Sequence, residues 1–168
     1  MKIPFPAALA LAAVALAATT SVVPTTSAQN SAADPASRGR YLVRIAGCND
    51  CHTAGFAMSN GATPEKDWLA GDALGWQGPW GTTYAPNLRE MVSWSSDDKW
   101  VDRLKNSVSL PPMPWYQVQA MAESDMRSLY LYIKSLGAPG ETAPFYRTAG
   151  KEPKTPYVTL EPPQTRKK

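Results

Sequence analysis

The sequence is poor in the side chains that most often bind metal ions, since its 168 residues include only two cysteines and one histidine. All three lie within the five residues Cys48-Asn49-Asp50-Cys51-His52. A structural zinc site uses four ligands, so this chain could complete one only with carboxylates, which is an unusual arrangement. The shortage therefore argues against a structural zinc site and makes this short segment the first candidate for chemistry.

The chain also lacks an apolar run long enough to span a membrane. Its longest one, residues 7–18, follows Met1-Lys2 and is followed by Pro24 and polar residues. A charged start, an apolar middle and a final small-residue stretch, Thr26-Ser27-Ala28, are typical of a secretory signal. We therefore interpret residues 1–28 as a signal peptide that is cleaved after Ala28, and expect an exported, periplasmic protein without an integral membrane segment after cleavage.

The folded part has little excess of either charge. Basic and acidic residues nearly balance between residues 34 and 136, and the positive charge lies in residues 138–168, which end in Arg166-Lys167-Lys168. A nucleic-acid-binding domain would carry a basic face on its folded part. The terminal segment is rich in proline and poor in apolar residues, so it should lie over the domain surface or stay mobile. We therefore predict one domain, residues 34–137, followed by a proline-rich basic tail, residues 138–168.

Strand-like alternation is almost absent, which favours an all-α fold. Asp34-Pro35 resembles a helix start, and Tyr41, Leu42 and Ile45 should form one apolar face. Ser95 or Ser96 should begin a second helix, before Asp97 and Asp98. The expected buried residues of the second helix are Trp100, Val101 and Leu104. A last helix should bury Met126, Leu129, Tyr130, Ile133 and Leu136 at helical spacing and end at Gly137.

The spacing of Cys48, Cys51 and His52 matches the C-x-x-C-H pattern of covalent haem attachment. On a tight helical turn, the two thiols can form thioethers with one porphyrin edge, while the histidine binds the iron as proximal ligand. A disulfide is the ordinary alternative in an exported protein. A disulfide oxidoreductase would place the motif after a strand, and no such strand pattern precedes Cys48. We predict one haem c bound through Cys48 and Cys51.

A second axial ligand cannot be histidine, because the chain has no other. Methionine is the usual alternative, since its thioether favours ferrous iron. Met58 is tethered too closely to His52, Met126 belongs to a helix face, Met121 should serve as packing, and Met91 should lie in a loop without a rigid setting. Met113 stands between prolines in Leu110-Pro111-Pro112-Met113-Pro114, which stiffen the loop. We therefore expect His52 and Met113 to bind the iron.

These segments together resemble the class I cytochrome c family over residues 36–137. The matching stretches are CNDCH at 48–52, YAPNL at 84–88, and the methionine loop with the final helix at 111–137. The resemblance implies an all-helical fold around one haem, with His52 and Met113 axial, and it suggests that the Pro86 carbonyl orients His52. Where the family commonly has a capping residue this chain has Ala122, so the last helix should fray or start at Ser124.

The segment between the haem motif and the second helix is rich in aromatic residues. These rings could form the walls of the haem site and bond a propionate, or they could be ordinary core packing. They could also form a docking surface on a larger dehydrogenase. The residues concerned are Trp68, Trp76, Trp80, Tyr84 and Trp94.

The expected coordination points to electron transfer. With protein ligands at both axial positions, the iron can exchange one electron but has no vacant position for substrate. We therefore expect an electron carrier rather than an enzyme, with redox proteins as partners: a dehydrogenase, another cytochrome or an oxidase. The basic tail could steer such encounters. The alternative is a haem-based gas or redox sensor, or a weak peroxidase, in which Met113 is labile.

Overall fold

A computed structural model describes residues 34–161 of the chain. The predicted signal peptide and the terminal basic residues 166–168 lie outside this range. Six α-helices make up most of the regular structure: α1 (Pro35–Ile45), α2 (Cys48–His52), α3 (Leu88–Ser93), α4 (Asp97–Asn106), α5 (Trp115–Gln119) and α6 (Glu123–Ser135). A single turn of 3-10 helix spans Glu65–Asp67. Within the described range, no helix is both long and apolar enough to cross a membrane.

The expectation of an all-α fold is wrong in part, because the chain also forms a small sheet. Strands β1 (Gly75–Gly78) and β2 (Gly81–Tyr84) make an antiparallel hairpin. Strand β3 (Tyr157–Thr159) pairs in parallel with β1, so the strand order is β2-β1-β3. Strands of three or four residues are too short for alternation to reveal them, and β3 obtains its partner from far along the chain.

Helices α1 and α6 pack closely because Gly39 lies at their crossing. A Cβ atom at this position would overlap the Ser128 carbonyl and would lie 2.7 Å from Cβ of Tyr132. The buried face of α1 consists of Gly39, Leu42 and Val43. The expected face was therefore wrong for Tyr41 and Ile45, which are 52% and 60% exposed. The Asp34 cap is confirmed, since its side chain accepts a hydrogen bond from the Ser37 amide.

Helices α4 and α6 follow the sequence prediction more closely. Ser96 caps α4 by accepting a hydrogen bond from the Lys99 amide. The indole N–H of Trp100 donates to the Met126 carbonyl at 3.1 Å and joins the two helices. Helix α6 begins directly after Ala122, without a side-chain cap, so Ser124 does not replace the missing cap. The predicted inward-facing residues Trp100, Val101, Leu104, Met126, Leu129, Tyr130 and Ile133 are all buried, and Leu136 is packed against them.

The described part of the tail, residues 138–161, runs along the β1–β2 hairpin and the start of α3. Thr82 and Arg147 exchange two backbone hydrogen bonds of 2.8 and 2.9 Å. The Gly75 amide donates to the Pro156 carbonyl at 2.9 Å. The Asn87 side chain donates to the carbonyls of Pro139 and Glu141 at 2.7 and 2.9 Å. These contacts place this segment on the surface of the helical body, one of the two arrangements expected from its composition.

Candidate cofactor site

The Cys-x-x-Cys-His segment forms helix α2, which follows α1 after a sharp change of direction. Gly47 makes this change with a left-handed backbone, φ 67°, which glycine adopts at little steric cost. A Cβ there would also lie 3.1 Å from the Asp50 carboxylate. The segment follows a helix rather than a strand, so it lacks the βα setting expected of a disulfide oxidoreductase.

His52 is buried, with 6% of its surface exposed, and is oriented by the segment before α3. Its Nδ1 lies 2.9 Å from the carbonyl oxygen of Pro86. A carbonyl oxygen can only accept, so Nδ1 is the donor and the neutral ring keeps its lone pair on Nε2. Burial lowers the pKa of His52, which favours this neutral form. The hydrogen bond suggested by the family resemblance is present.

Backbone hydrogen bonds fix both sides of the His52–Pro86 contact. The Gly71 amide donates to the His52 carbonyl at 2.8 Å. The Asp72 amide donates to the Ala85 carbonyl, and the Leu88 amide donates to that of Leu69. Segment 69–72 therefore links the backbone of His52 to the backbone on both sides of Pro86, which helps to hold the imidazole ring in one orientation.

The two cysteines are partly buried and do not form a disulfide. Burial raises the pKa of Cys48 to about 11 and also raises that of Cys51, where the neighbouring Asp50 carboxylate adds to the effect. Redox-active thiols are instead characterised by a lowered pKa, because the thiolate is the nucleophile. This environment gives no support to a thiol-disulfide enzyme.

One apolar cavity of about 340 Å³ contains the side chains predicted for the site. Cys48, Cys51, His52 and Met113 all line it. Asp50 is the only formally charged side chain among its lining residues, if His52 is neutral. Most other lining residues are aliphatic or aromatic and come from five helices, the β1–β2 hairpin and the loop before α5; they include Val43, Leu88, Leu104, Leu110, Val118, Leu129 and Ile133.

The cavity brings together more methionines than the sequence predicted. Met91, Met113 and Met121 all line it. Met91 lies on α3, so its assignment to an unstructured loop was wrong. The remaining two behave as expected of non-ligands, since Met58 is 90% exposed and Met126 is fully buried in the core.

The aromatic residues divide between the cavity, the core and the surface. Of the five considered from sequence, only Trp76 and Tyr84 line the cavity. Trp68 is a core residue whose indole N–H donates to the Thr63 carbonyl at 2.8 Å, and Trp94 is 64% exposed. Trp100 and Trp115 also line the cavity. The sequence predicted Trp100 as a helix-core residue and gave Trp115 no role of its own, and neither position carries a sequence signal for the cavity.

The donor set and the cavity fit a covalently attached haem. Two free thiols stand at the tether spacing, and the neutral His52 ring has an available ring nitrogen. A thioether lines the same apolar space. The indole N–H of Trp115 is buried and has no hydrogen-bond partner among the described residues. Such an orphaned donor suits the carboxylates of a haem group.

The same residues offer little to a protein-ligated metal ion. Among residues 34–161, no three side chains of the His, Cys, Asp and Glu types come together as a possible metal site.

Comparison of the chain with models of protein families, with curated proteins and with solved structures finds no match.

Proposed function

We propose that the protein is a single-haem c-type cytochrome that is exported to the periplasm and carries single electrons between redox proteins. The observation that carries this proposal is that Cys48, Cys51, His52 and Met113 line one apolar cavity. These residues come from two distant parts of the chain, and the resemblance to class I cytochromes c assigns the tether and both axial ligands to them. The localisation rests on the signal-like residues 1–28.

Each residue has a separate task in this proposal. Cys48 and Cys51 hold the haem covalently, and His52 binds iron through Nε2 while Pro86 holds the ring in place. Met113 supplies the sulfur ligand. A bound haem would supply reversible one-electron chemistry at a potential that a methionine ligand and apolar surroundings raise.

The protein's contribution is to close the site. The apolar cavity walls keep water from the ligands, and two protein ligands leave no coordination position for a substrate. Electron transfer is therefore a better proposal than catalysis. The partners would be a dehydrogenase, another cytochrome or an oxidase, bound through the small transient contacts usual for redox proteins.

The first experiment uses protein matured in a host that exports and attaches haem. Haem that stays with the polypeptide on a denaturing gel in the wild type, but is lost when both cysteines are replaced by alanine, supports the tether. The visible spectrum of the reduced protein is then recorded before and after addition of carbon monoxide. An unchanged low-spin spectrum supports the electron carrier, whereas rapid formation of an adduct favours the sensor or peroxidase.

The three cavity methionines provide matched variants for the axial ligand. Met113→Leu should open the sixth position and allow rapid carbon monoxide binding, because leucine has a similar volume but no sulfur. Met91→Leu and Met121→Leu change the same cavity and should leave carbon monoxide binding slow. If Met91→Leu or Met121→Leu opens the site instead, the assignment of Met113 is wrong.

A further inference from the structure

The methionine loop, residues 107–114, has few ways to anchor itself. Prolines at positions 111, 112 and 114 have no amide hydrogen and cannot donate hydrogen bonds. Val108 and Leu110 are apolar residues that are 81% and 40% exposed. The stiffness of the loop therefore does not by itself determine where Met113 lies relative to the rest of the cavity.

Two side chains from outside the loop bond to it: the Gln119 side-chain amide donates to the carbonyl of Ser107, its first residue, at 3.1 Å, and Thr83 bonds to its centre. The Thr83 hydroxyl donates to the Pro111 carbonyl at 2.6 Å. The Trp76 carbonyl also lies near this hydroxyl, at 3.3 Å, but a hydroxyl has one proton and the shorter contact is the stronger candidate. Within residues 34–161, no other group outside the loop hydrogen-bonds to residues 108–112.

Thr83 is well placed for this role because it lies on a strand that is itself held on both sides. It belongs to β2, and it also lines the cavity. On one side of the hairpin, β3 pairs with β1; on the other, Arg147 pairs with the neighbouring Thr82. The Tyr146 hydroxyl donates to the Trp80 carbonyl at 2.7 Å, near the turn of the hairpin.

We propose that Thr83 is a positioning residue that anchors the methionine loop to the β1–β2 hairpin and thereby keeps Met113 at the cavity. Its effect on iron coordination rests on the proposed function, whereas its effect on the loop does not. The tail contributes indirectly, because its residues 147–160 bond to the hairpin to which the loop is anchored.

The neighbouring Thr82 provides a matched control. Thr83→Val removes the hydroxyl but keeps the branched shape, and Thr83→Ser keeps the hydroxyl. Thr82→Val makes the same chemical change one residue earlier, where the side chain is fully buried and its hydroxyl has no partner among the described residues. Thr82→Val therefore removes no hydrogen bond to the loop.

Two measurements on the full-length protein test the proposal. The first is the rate at which a protease selective for apolar residues cuts beside Val108 and Leu110, which reports on the loop with or without haem. The second is the rate of carbon monoxide binding to the reduced protein. Thr83→Val should increase both rates roughly fivefold, the effect of losing one hydrogen bond. For Thr83→Ser and Thr82→Val, both rates should stay within about twofold of the wild-type rates.

The outcomes separate this proposal from the proposed function. Equal cleavage rates for Thr83→Val and Thr82→Val overturn the role of Thr83 as an anchor. Faster cleavage of Thr83→Val with an unchanged rate of carbon monoxide binding overturns the effect of the anchor on Met113. A wild type that carries no covalent haem, or binds carbon monoxide rapidly, contradicts the proposed function instead. The cleavage comparison still decides the role of Thr83 in that case.

Discussion

At the scale of single residues, a few side chains determine how the cavity walls meet. Arg89 is an example, since it is only 5% exposed yet carries a guanidinium group. It donates hydrogen bonds to five backbone carbonyls, those of Glu65, Lys66, Trp68, Leu136 and Ala138. It thereby joins the start of α3 to the end of α6 and to the 3-10 turn.

Arg89→Met should destabilise the protein by about 3 kcal/mol, because several buried carbonyls lose the partner that satisfied them. Arg89→Lys retains the charge but cannot reproduce the planar fork of the guanidinium group. Its stability should lie between that of the wild type and that of Arg89→Met. Urea unfolding of the three proteins measures the difference. A methionine variant as stable as the wild type would mean that water satisfies these carbonyls equally well.

Gly39 permits a second contact that depends on one residue. At an exposed helix position, alanine in place of glycine stabilises by about 1 kcal/mol. Here Gly39→Ala should instead destabilise by about 2 kcal/mol, because the added methyl group overlaps the backbone of Ser128 and forces α1 away from α6. The sign of the change in thermal unfolding temperature tests this expectation.

At the scale of elements, the sheet attaches the tail to the site. Strand β3 lies at the edge of the sheet, and all three of its residues are exposed. Its pairing with β1 is continued by the Leu160 amide, which donates to the Gln77 carbonyl at 2.7 Å. The attachment of β3 to the hairpin depends on these backbone bonds, because β3 contributes no buried side chain.

Leu160→Pro removes that donor and should loosen the pairing of β3 with β1. Hydrogen exchange of the Gly75 amide, which donates to Pro156, should become roughly fivefold faster. Leu160→Ala keeps the amide and serves as the control. The Trp100 amide, which donates to the Ser96 carbonyl at the start of α4, should exchange at the same rate in all three proteins. Equal Gly75 exchange in the proline and alanine variants would show that this bond does not hold the strand.

At the scale of the whole molecule, charge governs the response to acid. Glu123 at the start of α6 accepts hydrogen bonds from Lys105 on α4 and from Arg127. These two hydrogen bonds, of which that from Lys105 has the larger effect, lower the pKa of Glu123 from its ordinary 4.5 to about 2. The folded protein therefore binds this proton less readily than the unfolded chain, so the contribution is complete above pH 4.5 and is lost as the pH falls towards 2.

Glu123→Gln should make the loss of stability between about pH 4.5 and 2 less steep. The effect should be modest, since the groups are partly exposed and solvent screens them. The measurement is the urea midpoint over this pH range. Glu152→Gln removes a carboxylate that forms no ion pair with a described residue, and should follow the wild type. Parallel curves for both variants would contradict the expectation.

The sequence was sufficient for features that depend on neighbouring residues. The Asp34 and Ser96 caps and the buried faces of α4 and α6 are confirmed, because capping and helical periodicity are local properties. The same locality explains the errors. Tyr41 and Ile45 have the spacing of a buried face, but the close approach of α6 at Gly39 turns α1 so that these two side chains are exposed.

For the candidate site, the sequence by itself determined the spacing of the two cysteines, the single histidine and the number of methionines. Only the tertiary structure decided which of them share a cavity, since that depends on contacts between residues far apart in the chain. It added Met91 and Met121 to the cavity beside Met113, placed the Pro86 carbonyl against His52 as the family resemblance had suggested, and placed Thr83 against the methionine loop. It also gave β3 its partner, because strand pairing depends on a backbone edge that a local pattern does not encode.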